Sequence, residues 1–374
     1  MTGAFLYGAL CHAPLLSLVL GRVASPVSAV LPGRSVVWCE DQPDASLIPC
    51  GQAAEGVCVL GLDACEMARL EYYHIAVGVV SQDVTVDLAD GRCAVVRVFV
   101  PVARPSGPVG PWRGGVWQAR WAETVMAAAT DIMAQYGVTP ADTLRRRYVQ
   151  MLVAGGARAR AAILRDGTET LRRRAAKDDT RQEARRWPYA AYFAVDERDL
   201  QFRRFDGRMS GTLNRAVFIS GDAAVVLPYD PWRDRVMVIE QFRAGPHARG
   251  DANPWLIEAV AGRIDAGETP EDAARRETEE EAGLVLQRLI PGPRYYPSPA
   301  AKAEYLYSFV GIADLPDGAA GLGGLETEAE DIRSHVIPFD RLMEMVDSGE
   351  VDNAPLALLA LWLARMRADL RAGS

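Results

Sequence analysis

Residues 262–284, GRIDAGETPEDAARRETEEEAGL, are the stretch from which the rest of the chain can be read. A glycine and a loop carrying Glu268 precede a helix whose ends are marked. Thr269 suits the N-cap, Pro270 the first helical position, and Glu271 and Asp272 the positive end of the helix dipole. Gly283 fits the left-handed position that ends a helix. Between these ends Glu277, Glu280 and Glu281 are three and four residues apart and share one face. Like charges at that spacing repel and raise one another's pKa, so the face needs either a cation or full solvation. Carboxylate oxygens suit Mg²⁺ or Mn²⁺, with water and phosphate completing the shell. Spacing alone leaves a solvated acidic face as an equal alternative.

The same stretch resembles a complete Nudix box: Gly262, Glu268, Arg276, Glu277, Glu280, Glu281, Gly283 and Leu284 stand where that family has them. Thr278 occupies a position that is usually aliphatic, with a volume close to that of valine. The resemblance implies a metal-dependent hydrolase of nucleoside diphosphates linked to a further group.

With 374 residues, 49% hydrophobic and 24% charged, the chain has the composition of a soluble globular protein long enough for two domains. A net charge of −8 offers no electrostatic footprint for nucleic acid. The six cysteines, from Cys11 to Cys93, form no CxxC pair, and the four histidines are scattered. They are expected to be reduced thiols of a cytoplasmic protein, with no zinc site. The apolar segment 5–20 lacks a basic leader and is broken by Gly8, His12 and Pro14, so neither a signal peptide nor a membrane span is expected.

Residues 1–155 read as a small, barrel-like α+β domain. Strands are expected at 4–7, 57–60, 75–80, 85–88 and 94–100, with a helix over 62–70. Asp90-Gly91 is a hairpin turn signal. Tyr7-Gly8-Ala9-Leu10, followed by Leu62-Asp63-Ala64-Cys65-Glu66 and Tyr72-Tyr73-His74, resembles the γ-glutamylcyclotransferase-like (AIG2-like) family. That resemblance implies that the loop Tyr7, Gly8, Ala9 and Leu10 holds the polar end of a substrate. It also implies that Glu66 shuttles a proton from an attacking amine. Ala9 and His74 depart from the family pattern, and a domain retained as scaffold is the competing reading.

After a Pro- and Gly-rich break at 101–115, helices are expected over 117–135 and 140–153. A basic stretch, 156–187, is expected to be a helical linker; no aromatic residues interleave with its arginine runs, so base stacking is unsupported.

Residues 188–374 read as an α/β/α layered domain. Strands are expected at 192–195, 200–205, 216–219, 223–227, 235–241 and 305–312, and helices at 339–346 and 355–370. Beyond the box, this half resembles the ADP-ribose pyrophosphatase branch of the Nudix family. The resemblance rests on Phe205-Asp206-Gly207-Arg208-Met209-Ser210, Arg215, Ile239-Glu240-Gln241-Phe242-Arg243, Trp255-Leu256-Ile257-Glu258, Ser298-Pro299-Ala300, Glu304, residues 326–333 and Val351-Asp352-Asn353-Ala354. It implies that Mg²⁺ or Mn²⁺ is held by the Ala261 carbonyl, Glu277, Glu281 and Glu330, with Glu280 assisting. Glu328 would be the general base, and Arg276 would orient the glutamates together with Glu268. Arg215, Arg243, Ser298 and Glu304 would bind substrate. The implied reaction is hydrolysis of ADP-ribose to AMP and ribose 5-phosphate by a homodimer. Alternatives are another nucleoside diphosphate sugar, a non-catalytic sensor, or cyclotransferase chemistry as the main activity.

Overall fold

The computed structural model describes residues 2–102, 107, 109–163, 170–325 and 330–373. The chain divides into two compact units, Met1–Arg172 and Arg173–Ser374.

The first unit runs β1 (Gly3–Leu6), a 3-10 turn (Gly8–Cys11), α1 (Ala13–Leu20), β2 (Val27–Trp38), β3 (Ala45–Leu60), α2 (Ala64–Ala76), β4 (Val79–Leu88), β5 (Cys93–Pro101), β6 (Gly110–Pro111), α3 (Gly114–Met133), α4 (Ala141–Arg145) and α5 (Tyr148–Ala162). The strands follow the order β3-β1-β5-β4-β2, and β2 pairs back onto β3, which closes a five-stranded barrel; β6 extends β2. Phe5, Leu31, Leu47, Cys58, Val86, Val96 and Val98 belong to its core. The apolar N-terminal segment is absorbed here, as a fully buried β1 and as α1 with Leu15, Leu16, Val19 and Leu20 inside. No described helix is long and apolar enough to cross a membrane.

Three local expectations need correction. The expected strand at 75–80 starts late, at Val79, because α2 continues to Ala76 with Tyr73, His74 and Ala76 buried. Packing overrides the β-preference of that short run. The expected strand at 57–60 is only the end of β3, which pairs with β2 along nearly its whole length. Pro32 and Gly33 interrupt the alternation that would have marked this hairpin, and the register shifts between Pro32 and Arg34. Among its described residues, the basic stretch 156–187, expected as a helical linker, is α-helical only to Ala162. α5 reaches Ala162 with Gly155 and Gly156 buried, and a strand begins at Thr180. A Cβ on Gly155 would lie 2.6 Å from the Thr124 carbonyl oxygen, so α5 needs glycine to pack on α3.

The second unit opens with a three-stranded antiparallel sheet, β7 (Thr180–Ala190), β8 (Ala194–Phe202) and β9 (Leu213–Ile219). The expected strands at 192–195 and 200–205 are therefore parts of one strand, β8, whose partners are β7 and β9. There follow β10 (Ala223–Asp230), β11 (Arg235–Phe242), α6 (Ala244–Arg249), β12 (Trp255–Glu258), β13 (Val260–Arg263), α7 (Pro270–Ala282), β14 (Arg288–Tyr295), β15 (Leu306–Ile312), β16 (Leu322–Gly323), β17 (Ile332–Pro338), α8 (Phe339–Ser348) and α9 (Ala354–Ala372). Their sheet has the order β14-β15-β10-β11-β17-β16, with β12 on β11 and β13 on β10.

β10 is buried on both faces, and alternation divides its side chains between two cores. Val225, Leu227 and Tyr229 pack with Leu342, Leu356, Leu359 and Leu363 of α8 and α9. Ala224 and Val226 pack with Ala273 and Ala274 of α7. The sheet is thus sandwiched between helices, the expected α/β/α arrangement.

Candidate active site

α7 is built as its sequence predicts. The Thr269 hydroxyl accepts the Asp272 N–H at 3.1 Å, Pro270 occupies the first turn, and Gly283 closes the helix at φ +64°. Its apolar side, Ala273, Ala274 and Thr278, faces the sheet. Thr278 fills its unusual position by donating its hydroxyl to the Ala274 carbonyl at 2.6 Å, which leaves no unpaired polar atom in the core.

Arg276 is the hub of the acidic face. Its guanidinium grips Glu268 through two bonds of 3.0 Å each and reaches Glu277 at 2.8 Å, Glu280 at 2.9 Å and the Arg263 carbonyl at 3.1 Å. Such forked, charge-assisted bonds set direction as well as attraction. Glu281, 2% exposed, instead accepts the Ala261 N–H at 3.1 Å. Helix and strand meet closely here: a Cβ on Gly262 would fall 1.8 Å from the Glu277 carboxyl carbon. Glycine is required at 262 because that space holds a carboxylate.

The loop before β17 closes on the same place. The Glu330 carboxylate accepts the Leu325 N–H at 3.2 Å, and Gly324 (φ +93°) donates to the Glu280 carbonyl. A Cβ on Gly323 would meet the Glu281 carbonyl oxygen at 2.2 Å.

Burial and mutual repulsion dominate the electrostatics. Burial pushes Glu277 up to about 7 against the pull of Arg276, with Glu280 and Glu330 adding to the rise. Burial likewise pushes Glu281 up to about 8; the Ala261 N–H opposes this, while Glu277 and Glu330 reinforce it. Arg276 pairs with Glu268, Glu277 and Glu280, while Glu281 and Glu330 add negative charge that it does not pair. The surplus negative charge, all on hard oxygens, fits a divalent cation. Among the described residues no three acidic, His or Cys groups are already gathered at ligand distance. Arg276 draws Glu277 and Glu280 to itself, and Glu281 turns to the backbone.

Arg243 belongs to this site. It sits at the start of α6, donates to Glu258 at 2.6 Å, and its charge lowers the pKa of Glu281. Burial raises Glu258 in turn, with Arg243 opposing. Glu258 lacks an independent sequence signal, because one acid in the run Trp255-Leu256-Ile257-Glu258 resembles an ordinary strand residue.

The other implied substrate residues are placed differently. Arg215 is exposed on β9 and donates to the Asn214 carbonyl at 2.8 Å; among the described residues it bonds to no box carboxylate. The Ser298 carbonyl accepts the N–H groups of Ala301 and Lys302, forming a turn docked on Phe218 of β9. Glu304 is held by the Ser220 hydroxyl and the Lys302 ammonium, each at 3.0 Å. Glu328 lies outside the described residues.

In the first unit, Tyr7, Ala9 and Leu10 line a cavity, while Gly8 (φ +61°) lies against Ala45, where a Cβ would come within 2.7 Å of the alanine Cβ. Glu66 is not among the residues that line this cavity. It forms a capping box with Asp63, with backbone bonds of 2.8 and 3.0 Å, and pairs with Arg22. The Arg22 bond, the Asp63 N–H and the Arg22 charge hold its carboxyl below the usual range against slight desolvation.

A NUDIX domain profile matches residues 220–357. The chain is 41% identical over 187 residues to the ADP-ribose pyrophosphatase of Escherichia coli strain K12, covering 50% of this chain and 88% of that protein. To the ADP-ribose pyrophosphatase of Haemophilus influenzae it is 35% identical over 185 residues, covering 49% and 85%. A GDP-mannose pyrophosphatase of Enterobacter is 32% identical over 149 residues, covering 40% and 76%. A solved ADP compounds hydrolase aligns at TM-score 0.41 and 19% identity over 53% of this chain and all of that one.

Proposed function

The chain belongs to the Nudix family, and on that premise we propose that its second unit hydrolyses the diphosphate bond of ADP-ribose to AMP and ribose 5-phosphate. The observation that carries this reading is the buried carboxylate set on α7, organised by Arg276 and opposed by too little positive charge. The higher identity to ADP-ribose pyrophosphatases than to the GDP-mannose pyrophosphatase supports the choice of substrate.

Nudix hydrolases generally use divalent metal ions, and the ion proposed here is Mg²⁺. Glu277, Glu281, Glu330 and the Ala261 carbonyl would hold it, with Glu280 assisting. Bound there, it would supply the positive charge that a diphosphate needs before a nucleophile can approach, and would acidify water.

The chain's own residues do the rest. Arg276 keeps Glu277 and Glu280 pointed inward, while Glu268 holds the guanidinium in place from the other side. Arg243 offers a planar fork suited to phosphate, once it releases or shares Glu258. Glu328 remains the proposed base for water. Ser298, Glu304 and Arg215 form the proposed contacts to the far end of the substrate. A homodimer is part of the proposal, and sedimentation as a monomer would refute that part.

The test is a panel of nucleoside diphosphate derivatives given to the full chain with Mg²⁺, with products identified. ADP-ribose should show the highest kcat/KM. A higher value for GDP-mannose would transfer the proposal to another sugar nucleotide, and no turnover of any member would favour a sensor.

A further inference from the structure

The bond between Arg243 and Glu258 uses only one edge of the guanidinium. Nε donates to the Glu258 carboxylate at 2.6 Å, while Nη1 and Nη2 make no bond among the described residues. The arginine backbone is fixed as well: its N–H donates to the Pro254 carbonyl at 2.9 Å, where β11 runs into α6. An arginine held at its backbone and at Nε has little freedom left. Its open edge is the pair of terminal amino groups, which matches two phosphate oxygens.

Strand pairing places Glu258 for this. It stands opposite Ile239 of β11, and Ile239 packs in the core beneath α7. Paired residues share a face, so Glu258 lies on the α7 side of the sheet, as does Gln241, two residues along from Ile239. Gln241 is 5% exposed, and its Nε2 is sealed from solvent with no partner of good hydrogen-bond geometry. Burial is the strongest influence on the Glu258 carboxylate and opposes its charge. Arg243 offsets burial, Asp352 ahead of α9 adds to the opposition, and the neighbouring Gln241 amide supports the charged form. Releasing Arg243 would leave a desolvated carboxylate without a countercharge, so exchanging Glu258 for phosphate is disfavoured.

We propose that Glu258 is a positioning residue for the diphosphate site: it stays bound to Arg243 through turnover, braced by Gln241, and aims the Nη1–Nη2 edge at a substrate phosphate. The inference rests on the hydrolase reading, because it takes a diphosphate as the ligand of Arg243. Glu258 acts only through that arginine, so its loss is felt in substrate binding more than in the bond-breaking step.

The experiment measures kcat and KM for ADP-ribose with Mg²⁺ in the full chain, in Glu258→Ala, Glu258→Gln, Glu258→Asp and Arg243→Ala, and in the double variant Glu258→Ala with Arg243→Ala. Glu258→Ala should raise KM about tenfold and lower kcat by less than about threefold, the scale of one lost charge-assisted bond. Glu258→Gln, whose amide oxygen still accepts the Nε–H, should recover most of that KM. Glu258→Asp keeps the charge but withdraws it by one methylene. It should raise KM more than Glu258→Gln does, and it carries the test if Glu258→Ala fails to fold. In the Arg243→Ala background, Glu258→Ala should add less than about twofold. Wild-type KM in both Glu258→Ala and Glu258→Asp, additive losses in the double variant, or a kcat loss of about a hundredfold in Glu258→Gln would overturn the inference alone. Wild-type protein that turns over no nucleoside diphosphate derivative would overturn the hydrolase reading, and this inference with it.

Discussion

Two helices in this chain carry glutamates that the sequence marks for chemistry, and their surroundings use them in opposite ways. On α2, Glu66 stands in the first turn, where backbone N–H groups are unpaired; it is absorbed by the capping box and by Arg22, and its pKa falls. On α7, the first-turn duties fall to Thr269, Glu271 and Asp272, and Glu277, Glu280 and Glu281 stand in the later turns. There no free N–H of the helix itself can reach them, burial dominates, and the pKa values of Glu277 and Glu281 rise. Position along the helix thus separates a carboxylate that stabilises its own fold from those left under strain by it.

Glu281→Gln should lower kcat on ADP-ribose by about two orders of magnitude or more, the usual scale for removing a charge stabiliser. The circular dichroism spectrum should be unchanged. Gly262→Ala should come next: its methyl group must displace the Glu277 carboxylate. A loss of about tenfold in kcat and about 1–3 kcal/mol in urea-melt stability is expected, as for overpacking.

The raised pKa values give a pH signature. An acid whose folded pKa lies above its unfolded value favours folding while protonated, and that contribution is lost as pH rises through the folded pKa. For Glu277 and Glu281 the window runs from their ordinary carboxylate range to about 7 and about 8. The Tm of metal-free protein should fall across that window, and added Mg²⁺ should recover more of it at the upper end, since the ion competes with protons. A Tm gain from Mg²⁺ that is flat with pH would contradict the buried pair as its site. Glu66→Gln should have the smallest effect, about 1 kcal/mol or less from a weakened cap, with hydrolysis unaltered. A large loss of hydrolysis would show that α2 does more than cap.

Much of the second unit was legible because its signals are local. Thr269, Pro270 and Gly283 bound α7, and the spacing of its glutamates shows which of them share a face. That Gly262 must be glycine was legible only as a pattern; its reason, the Glu277 carboxylate packed against it, requires the strand and helix to be brought together. In the first unit, alternation failed at Pro32 and Gly33, so the β2–β3 hairpin was invisible. Glu66 shows the converse limit. A motif residue can be in the expected place while its side chain is taken by the helix end, and spacing does not report that. Glu258 and its bond to Arg243 arise from pairing β11 with β12, another contact across the sheet.

Metal-dependent hydrolysis of ADP-ribose is tested by a discontinuous assay of wild-type protein, following AMP and ribose 5-phosphate through a cycle of chelation and Mg²⁺ return. Both products should form in equal amounts with Mg²⁺, be lost on chelation, and recover when the ion is restored. Hydrolysis that persists in excess chelator, or products other than AMP and ribose 5-phosphate, would contradict it.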